Sequence, residues 1–136
     1  YCVLNSASGE VTMVRAGHDP PLLFHRADGV IEPLKPPGLA LGVDKGPVFD
    51  RATREVVFTM EPGDRLLLYT DGVTEAVEAK SRDEFGGDRL AAIFRREATD
   101  GAGPQPLLAS VQRAVAAFTK GARQHDDVTL VVIERT

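Results

Sequence analysis

The sequence has a single cysteine, no tryptophan and no long apolar run. Because one cysteine, Cys2, excludes an internal disulfide framework, the composition is typical of a reducing compartment and predicts a cytoplasmic location. No stretch reaches the roughly 20 apolar residues of a membrane span. No basic segment followed by an apolar core opens the chain, as it would in a signal peptide. We therefore expect a soluble domain with no membrane partner.

Basic residues are too few for binding to nucleic acid. The 16 Lys and Arg residues are outnumbered by 20 Asp and Glu residues, which gives a formal net charge of -4. Contact with a phosphate backbone requires a basic excess, so nucleic acid is excluded as a partner. The sequence also lacks zinc-type Cys/His spacing, a P-loop, a dinucleotide fingerprint and a G-x-S-x-G elbow. A serine-nucleophile hydrolase is therefore unsupported.

The order of predicted elements indicates one α+β domain over residues 1–136. Short apolar or alternating runs between turn residues predict strands at residues 2–5, 11–16, 21–26, 30–34, 54–60, 65–70 and 128–133. The segment 65–70 is apolar on both faces, which predicts a central strand. Residues 35–50 are rich in Pro and Gly and predict an ordered loop. Apolar residues at helical spacing predict one helix after Gly87 and another from about Pro106 to Thr119.

Acidic residues stand at the ends of two of the most apolar predicted strands. Asp71 follows the strand 65–70, and the pair Asp126 and Asp127 precedes the strand 128–133. If these strands are neighbours, the carboxylates meet at one rim of the sheet. Clustered carboxylates resist ionising together unless a cation lies between them, so such a rim suits a hard divalent ion such as Mg²⁺ or Mn²⁺. Two ions about 3.5 to 4 Å apart can hold the attacking and leaving oxygens of phosphoryl transfer to water.

Each acidic motif also has a plain structural explanation. Asp71 and Gly72 form a common turn pair, and Asp71 is a suitable cap for a short following helix, with Glu75 near the positive end of that helix. The aspartate pair is equally consistent with a solvated turn. His18, in the stretch AGHDPP, is typical of a turn or surface residue. The residues alone therefore leave both interpretations open.

Five stretches of the chain occur together in a specific order: AGHDPPLLF, PPGLALGV, PGDRLLLYTDGVTEA, DEFGGDRL and HDDVTLVVI. As a set they resemble the bacterial metal-dependent serine/threonine phosphatases of the 2C-like class. The resemblance is to the branch that includes stage II sporulation protein E and the sigma-factor regulatory phosphatases. It implies an antiparallel β-sandwich flanked by helices. It also implies hydrolysis of phosphoserine or phosphothreonine by water that a pair of Mn²⁺ or Mg²⁺ ions activates.

The resemblance implies roles for individual residues. Asp71 and Asp126 are expected to be metal ligands, and Asp127 falls at the next motif position, where some relatives carry an amide. Glu75 falls where some relatives carry a carboxylate associated with a further metal ion. Gly72 and His18 are expected near the site. Beyond metal binding, no residue of the chain is assigned a catalytic role.

The domain of this family is longer than the present chain. Its first part carries a Gly-Asp pair and a further Asp that complete the ligand set, and this sequence has no counterpart to them. Tyr1 also stands inside a predicted strand, so we expect the C-terminal portion of one such domain, with the fragment alone inactive or nearly so.

The resemblance also implies partners. The expected substrate is a phosphorylated protein, in this branch an anti-sigma-factor antagonist. A sheet edge left exposed by a missing part would favour self-association. Two alternatives stay open: a degenerate phosphatase-like module that binds a partner without chemistry, and a plain scaffold whose aspartates are ordinary turn residues.

Overall fold

The computed structural model describes residues 1–124 and 126–136, which form two antiparallel sheets and a layer of helices. The strands are β1 (Cys2–Leu4), β2 (Glu10–Met13), β3 (Leu22–Phe24), β4 (Ile31–Pro33), β5 (Val56–Thr59), β6 (Arg65–Tyr69) and β7 (Leu130–Glu134). The helices are α1 (Pro47–Ala52), α2 (Asp71–Thr74), α3 (Gly86–Thr99) and α4 (Pro104–Thr119). The predicted α+β class is confirmed.

The strand order places β6 inside its sheet. One sheet has the order β1-β2-β5 and the other has the order β4-β3-β6-β7, with every neighbouring pair antiparallel. The prediction of a central strand at residues 65–70 is therefore confirmed. The outer strands of the described sheets are β1, β5, β4 and β7, and self-association through one of these edges stays a prediction.

Alternate residues of β3 and β6 face two different cores. Leu23 and Leu66 pack with Val11 of β2 in the core between the two sheets. Phe24 and Leu67 lie in the other core, which the helices cover. The period of two along a strand separates these sets, and their complete burial explains why both segments are apolar on both faces.

The helices begin earlier than the apolar stripes indicate. α3 begins at Gly86, and α4 begins at Pro104 with Gly103 as its N-cap, two residues before the predicted start at Pro106. Either proline suits a first turn, because proline has no N–H to leave unpaired there. Within the described residues, every helix is too short or too polar to cross a bilayer.

The loop predicted for residues 35–50 is wrong at its C-terminal end, where α1 forms. A carboxylate oxygen of Asp44, Oδ2, accepts hydrogen bonds from the backbone N–H groups of Gly46 and Val48, each at 2.8 Å. These bonds satisfy donors at the start of α1 that have no partner within the helix. Asp44 therefore starts a helix that the density of Pro and Gly obscures in the sequence.

The packing predicts a large effect for Phe94→Ala. Phe94 is fully buried, and its ring meets that of Phe24 edge to face with a centroid distance of 6.3 Å. Because the substitution leaves a cavity between α3 and β3, we expect the free energy of unfolding to fall by about 3 to 5 kcal/mol in urea denaturation. The control Val57→Ala, at a position 57% exposed on β5, should change it by about 0.5 kcal/mol or less. Equal effects of the two variants would contradict this packing.

Candidate functional site

The two acidic motifs are joined by hydrogen bonds of Thr70. β6 ends at Tyr69, which pairs with Leu130 at the start of β7. The next residue, Thr70, exchanges bonds with Thr129: its N–H donates to the Thr129 carbonyl at 3.1 Å, and its hydroxyl accepts from the Thr129 N–H at 2.9 Å. The same hydroxyl donates to the carbonyl of Asp127 at 2.8 Å. The segments that carry Asp71 and Asp126 therefore lie on one rim of the sheet.

Gly72 allows a close approach between these segments. A Cβ atom at position 72 would lie 2.4 Å from the carbonyl oxygen of Asp127 and 3.2 Å from that of Asp126. Real Cβ atoms do not come this near to a backbone oxygen, so a side chain at Gly72 would force the Asp126–Asp127 segment away. Packing between the two motifs therefore requires the glycine of the Asp-Gly pair.

Asp71 is the first residue of α2 and does not cap it. The N-cap is Thr70, and the side chain of Thr70 makes no capping hydrogen bond in the described structure. Oδ1 of Asp71 accepts from the adjacent N–H of Gly72 at 2.9 Å, and Oδ1 of Asp126 accepts in the same way from the N–H of Asp127 at 2.7 Å. Asp71, Asp126 and Asp127 are all exposed.

Two small cavities flank the pair Asp71 and Gly72. The first, which we call the loop-side cavity because the loop between β2 and β3 lines it, has a volume of about 110 Å³. It is lined by Gly17, His18, Asp19, Thr70 and Asp71. The second, the helix-side cavity, has a volume of about 300 Å³ and lies between α2, α4 and the Asp126 segment. Gly72, Glu75 and Asp126 are among its lining residues.

His18 and Glu75, two further residues that the sequence predicts at or near the site, each line one of these cavities. His18 shares the loop-side cavity with Asp71, and Glu75 shares the helix-side cavity with Asp126. The ring of His18 is held by a hydrogen bond between its Nδ1 and the carbonyl of Asp19 at 3.0 Å. Arg15 fixes the same turn, because its Nη1 donates to the carbonyl of His18 at 2.9 Å.

Asp19 is a residue of this region that the sequence did not single out. Its Oδ2 atom is enclosed and has no hydrogen-bond partner among the described residues. Burial and the negative charge of Asp19 raise the pKa of Tyr69, so the carboxylate lies near the end of β6. In the sequence an Asp followed by Pro signals only the start of a turn.

Among the described residues, the other histidine, His25, gives no support for a site. His25 lies in the connection between β3 and β4, where its Nε2 is 2.9 Å from Oε2 of Glu32. His125 lies outside the described residues.

Asp71, Asp126 and Asp127 form an acidic rim at this end of the sheet, and their carboxylates provide oxygen donors of the kind that Mg²⁺ and Mn²⁺ prefer. Among residues 1–124 and 126–136, no group of three or more His, Cys, Asp and Glu side chains is arranged to hold a metal ion. Mg²⁺ commonly takes one or two protein carboxylates and completes its shell with water and phosphate oxygens. The segments that carry Asp71 and Asp126 meet at Gly72, while Asp71 lines one cavity and Asp126 the other. Each carboxylate is of the type that such a site uses.

Glu78 links the chain after α2 to the end of α4. Its Oε2 accepts hydrogen bonds from the backbone N–H groups of Ser81 and Lys80 at 2.6 and 2.8 Å, and its Oε1 lies 3.2 Å from Nζ of Lys120. These groups, Ser81 first, lower the pKa of Glu78 to about 2. The carboxylate therefore stabilises the wall of the helix-side cavity, and its hydrogen bonds serve the stability of the fold.

The chain was compared with known proteins by family, by sequence and by structure. A family model described as stage II sporulation protein E (SpoIIE) matches residues 1–136. The phosphoserine phosphatase RsbU of Bacillus subtilis is 26% identical over 138 residues, which cover 99% of this chain and 38% of RsbU.

Two solved structures establish the fold. The SiaA-PP2C domain of Pseudomonas aeruginosa matches with a TM-score of 0.70 at 19% identity, covering 93% of this chain and 47% of that chain. The Mn-presoaked phosphatase domain of SpoIIE from Bacillus subtilis matches with a TM-score of 0.65 at 15% identity, covering 98% of this chain and 54% of that chain. The predicted fold of helices and antiparallel sheets is confirmed as that of PP2C-type domains. The chain spans about half of each structure and less than half of RsbU.

The contact at Gly72 predicts that Gly72→Ala disturbs the rim. Because the new Cβ would overlap the carbonyl of Asp127, we expect the free energy of unfolding to fall by about 1 to 3 kcal/mol in urea denaturation. The matched control is Gly87→Ala in α3, where a Cβ would meet nothing within 4 Å. The control should stabilise the protein by about 0.4 to 1 kcal/mol. A Gly72→Ala variant as stable as the wild type would contradict the close approach.

The hydrogen bonds of Glu78 predict a dependence of stability on pH. The folded-state pKa of about 2 is below the ordinary value of 4.5, so the stabilisation is complete above pH 4.5 and is lost as pH falls towards 2. We expect Glu78→Gln to reduce the melting temperature at pH 7 and to flatten its decline between pH 4.5 and 2. The control Glu55→Gln, at an exposed position, should keep the wild-type decline. If the melting temperatures of the wild type and both variants declined equally between pH 4.5 and 2, this role of Glu78 would be excluded.

Proposed function

This chain belongs to the stage II sporulation protein E family, and we propose that it is the C-terminal portion of a metal-dependent serine/threonine phosphoprotein phosphatase domain. The proposed reaction is hydrolysis of phosphoserine or phosphothreonine by metal-activated water. The coverage of 47% and 54% of two phosphatase-domain structures supports the assignment to one portion of the domain. We infer that the isolated chain is inactive or nearly so, because a half-domain holds only part of the ligand set.

The observation that carries this proposal is the contact between the two acidic motifs. The hydroxyl of Thr70 forms hydrogen bonds with the backbone of Asp127 and of Thr129. Gly72 packs directly on the Asp126–Asp127 backbone. Two carboxylate-bearing segments from distant parts of the sequence are therefore held at the end of one rigid, buried strand. Rigid elements hold a site more precisely than loops do, which suits the positioning of a metal ion.

The proposed ligands are Asp71 and Asp126, with Asp127 and Glu75 as further carboxylates of the rim. A bound divalent cation supplies a water of lowered pKa and a positive charge that stabilises the phosphoryl oxygens in the transition state. Asp71 binds from the end of β6 and Asp126 from the segment before β7, so the register of the two strands sets their separation. His18 borders the same cavity as Asp71 and is assigned to the surroundings of the site.

The finer assignments follow from the family and its relatives. Mn²⁺ or Mg²⁺, as a pair of ions in the intact domain, is the proposed cofactor, and the Mn-presoaked phosphatase domain of SpoIIE supports it. The substrate is proposed to be a phosphorylated protein, and the similarity to the phosphoserine phosphatase RsbU supports this class. An anti-sigma-factor antagonist is our specific candidate. The single cysteine supports a cytoplasmic location.

A second candidate is a phosphatase-like module that binds a partner without catalysis. One observation favours it: within the described part of the chain, no three acidic or histidine side chains are arranged around one metal position. The experiment that follows separates the two candidates, because only the enzyme requires the carboxylates of Asp71 and Asp126.

The test is made on the longer protein that contains this chain, with a phosphoserine peptide and Mn²⁺. We expect Asp71→Asn and Asp126→Asn each to lower kcat/KM by about 100-fold or more, equivalent to about 3 kcal/mol of transition-state stabilisation. The matched control is Asp100→Asn at the exposed end of α3, which should keep wild-type activity. A wild-type protein with no activity would favour the partner-binding module. Unchanged rates in the first two variants would exclude Asp71 and Asp126 as ligands of the catalytic metal.

A further inference from the structure

We propose that the helix-side cavity binds an apolar side chain of the phosphoprotein substrate, within a few residues of the phosphorylated serine or threonine. This inference rests on the proposed function and deepens it, because it names a feature of the substrate that the enzyme selects. The cavity lies between α2, α4 and the Asp126 segment and has a volume of about 300 Å³.

The first support is the apolar character of the cavity wall. Five apolar residues from three parts of the chain line it: Ala76, Val77, Val115, Ala116 and Val128. Apolar surface in contact with water favours burial against an apolar group, and ligand pockets in proteins begin at roughly 300 Å³. An apolar cavity of about 150 Å³ accommodates benzene, so the helix-side cavity has room for a leucine or phenylalanine side chain.

The second support is that the cavity is preformed. The N–H of Phe85 donates to the carbonyl of Ala76 at 2.8 Å, and Val77 pairs with Glu84 in an isolated antiparallel bridge. Elsewhere in the wall, Val128 packs against the core that the helices cover. A pocket whose walls are fixed before binding loses little conformational entropy when a ligand enters, which favours recognition of a side chain there.

The third support is the position of the cavity, which identifies its occupant. Gly72, Glu75 and Asp126 also line it, so it is continuous with the acidic rim at which the phosphate group is proposed to react. Arg123 lines it as well and makes no ion pair with any residue that the structure describes. Its positive charge complements a phosphorylated segment, which is negatively charged. A phosphoprotein segment that extends from the rim therefore meets an apolar wall and a positive charge.

The test uses the longer protein that contains this chain, with Mn²⁺ and a set of phosphoserine peptides. The reference peptide carries alanine at every position around the phosphoserine, and each other peptide carries one leucine at one of the three positions on either side. Because leucine buries more apolar surface than alanine, we expect leucine in at least one position to raise kcat/KM by about 10-fold over the reference peptide.

Ala116→Phe and Ala117→Phe form a matched pair on α4. Both alanines are exposed, and of the two only Ala116 lines the cavity. Because Ala116→Phe places a ring against the cavity, the preference for the leucine peptide should fall from about 10-fold to about 2-fold or less. Ala117→Phe should keep the wild-type preference. Since neither position belongs to the core, both variants should melt at about the wild-type temperature.

The same peptides distinguish failure of this inference from failure of the proposed function. Two outcomes overturn the inference and leave the proposed function standing: hydrolysis of every peptide at the same rate, and a leucine preference that Ala116→Phe and Ala117→Phe affect equally. If the wild-type protein hydrolyses none of the peptides, the proposed function itself is contradicted and the inference falls with it.

Discussion

The hydroxyl of Thr70 lies at the point where β6 and β7 leave their regular pairing. It donates to the carbonyl of Asp127 and accepts from the N–H of Thr129, so one side chain continues the ladder past the last strand pair. A slip of one residue between the strands would turn every side chain of β7 to the opposite face of the sheet. The separation of Asp71 and Asp126 therefore depends on the same register that packs the half-buried Leu130, Val132 and Ile133 of β7 against the two cores.

The two cores on either side of the four-stranded sheet make that register rigid. Leu66 is buried against the other sheet and Leu67 against the helices, and neither side chain is exposed to solvent. Native interiors are close-packed, so β6 has no room to tilt or slide. The site is thus carried by the strand that the fold constrains most. The four-residue α2 follows this strand directly, begins with Asp71 and buries Gly72 and Val73.

The sequence predicted the features that depend on periodicity and missed those that depend on packing. The central position of β6 followed from its apolar run, and the structure confirms it. The meeting of the two acidic motifs was predicted only if their strands were neighbours, and β6 and β7 are neighbours whose adjoining segments are in contact at Gly72. The start of α1 and the bridging role of Thr70 had no periodic signal, because each depends on one side chain meeting a backbone group brought near by folding. The enclosed oxygen of Asp19 could not be predicted at all, because the enclosure of a single atom depends on the folded chain and produces no pattern in the sequence.

Carboxylates that stabilise turns in this protein differ from those at the rim. Both oxygens of buried Asp64 accept backbone N–H groups, from Arg26 and Glu61, and Oδ2 of Asp44 accepts from several residues at the start of α1. Within the described residues, the backbone donors to Asp71 and Asp126 are only their own next N–H groups. An aspartate that serves a turn uses its oxygens on that turn. The rim aspartates leave theirs available, which is the condition that a cation site requires and an ordinary turn does not.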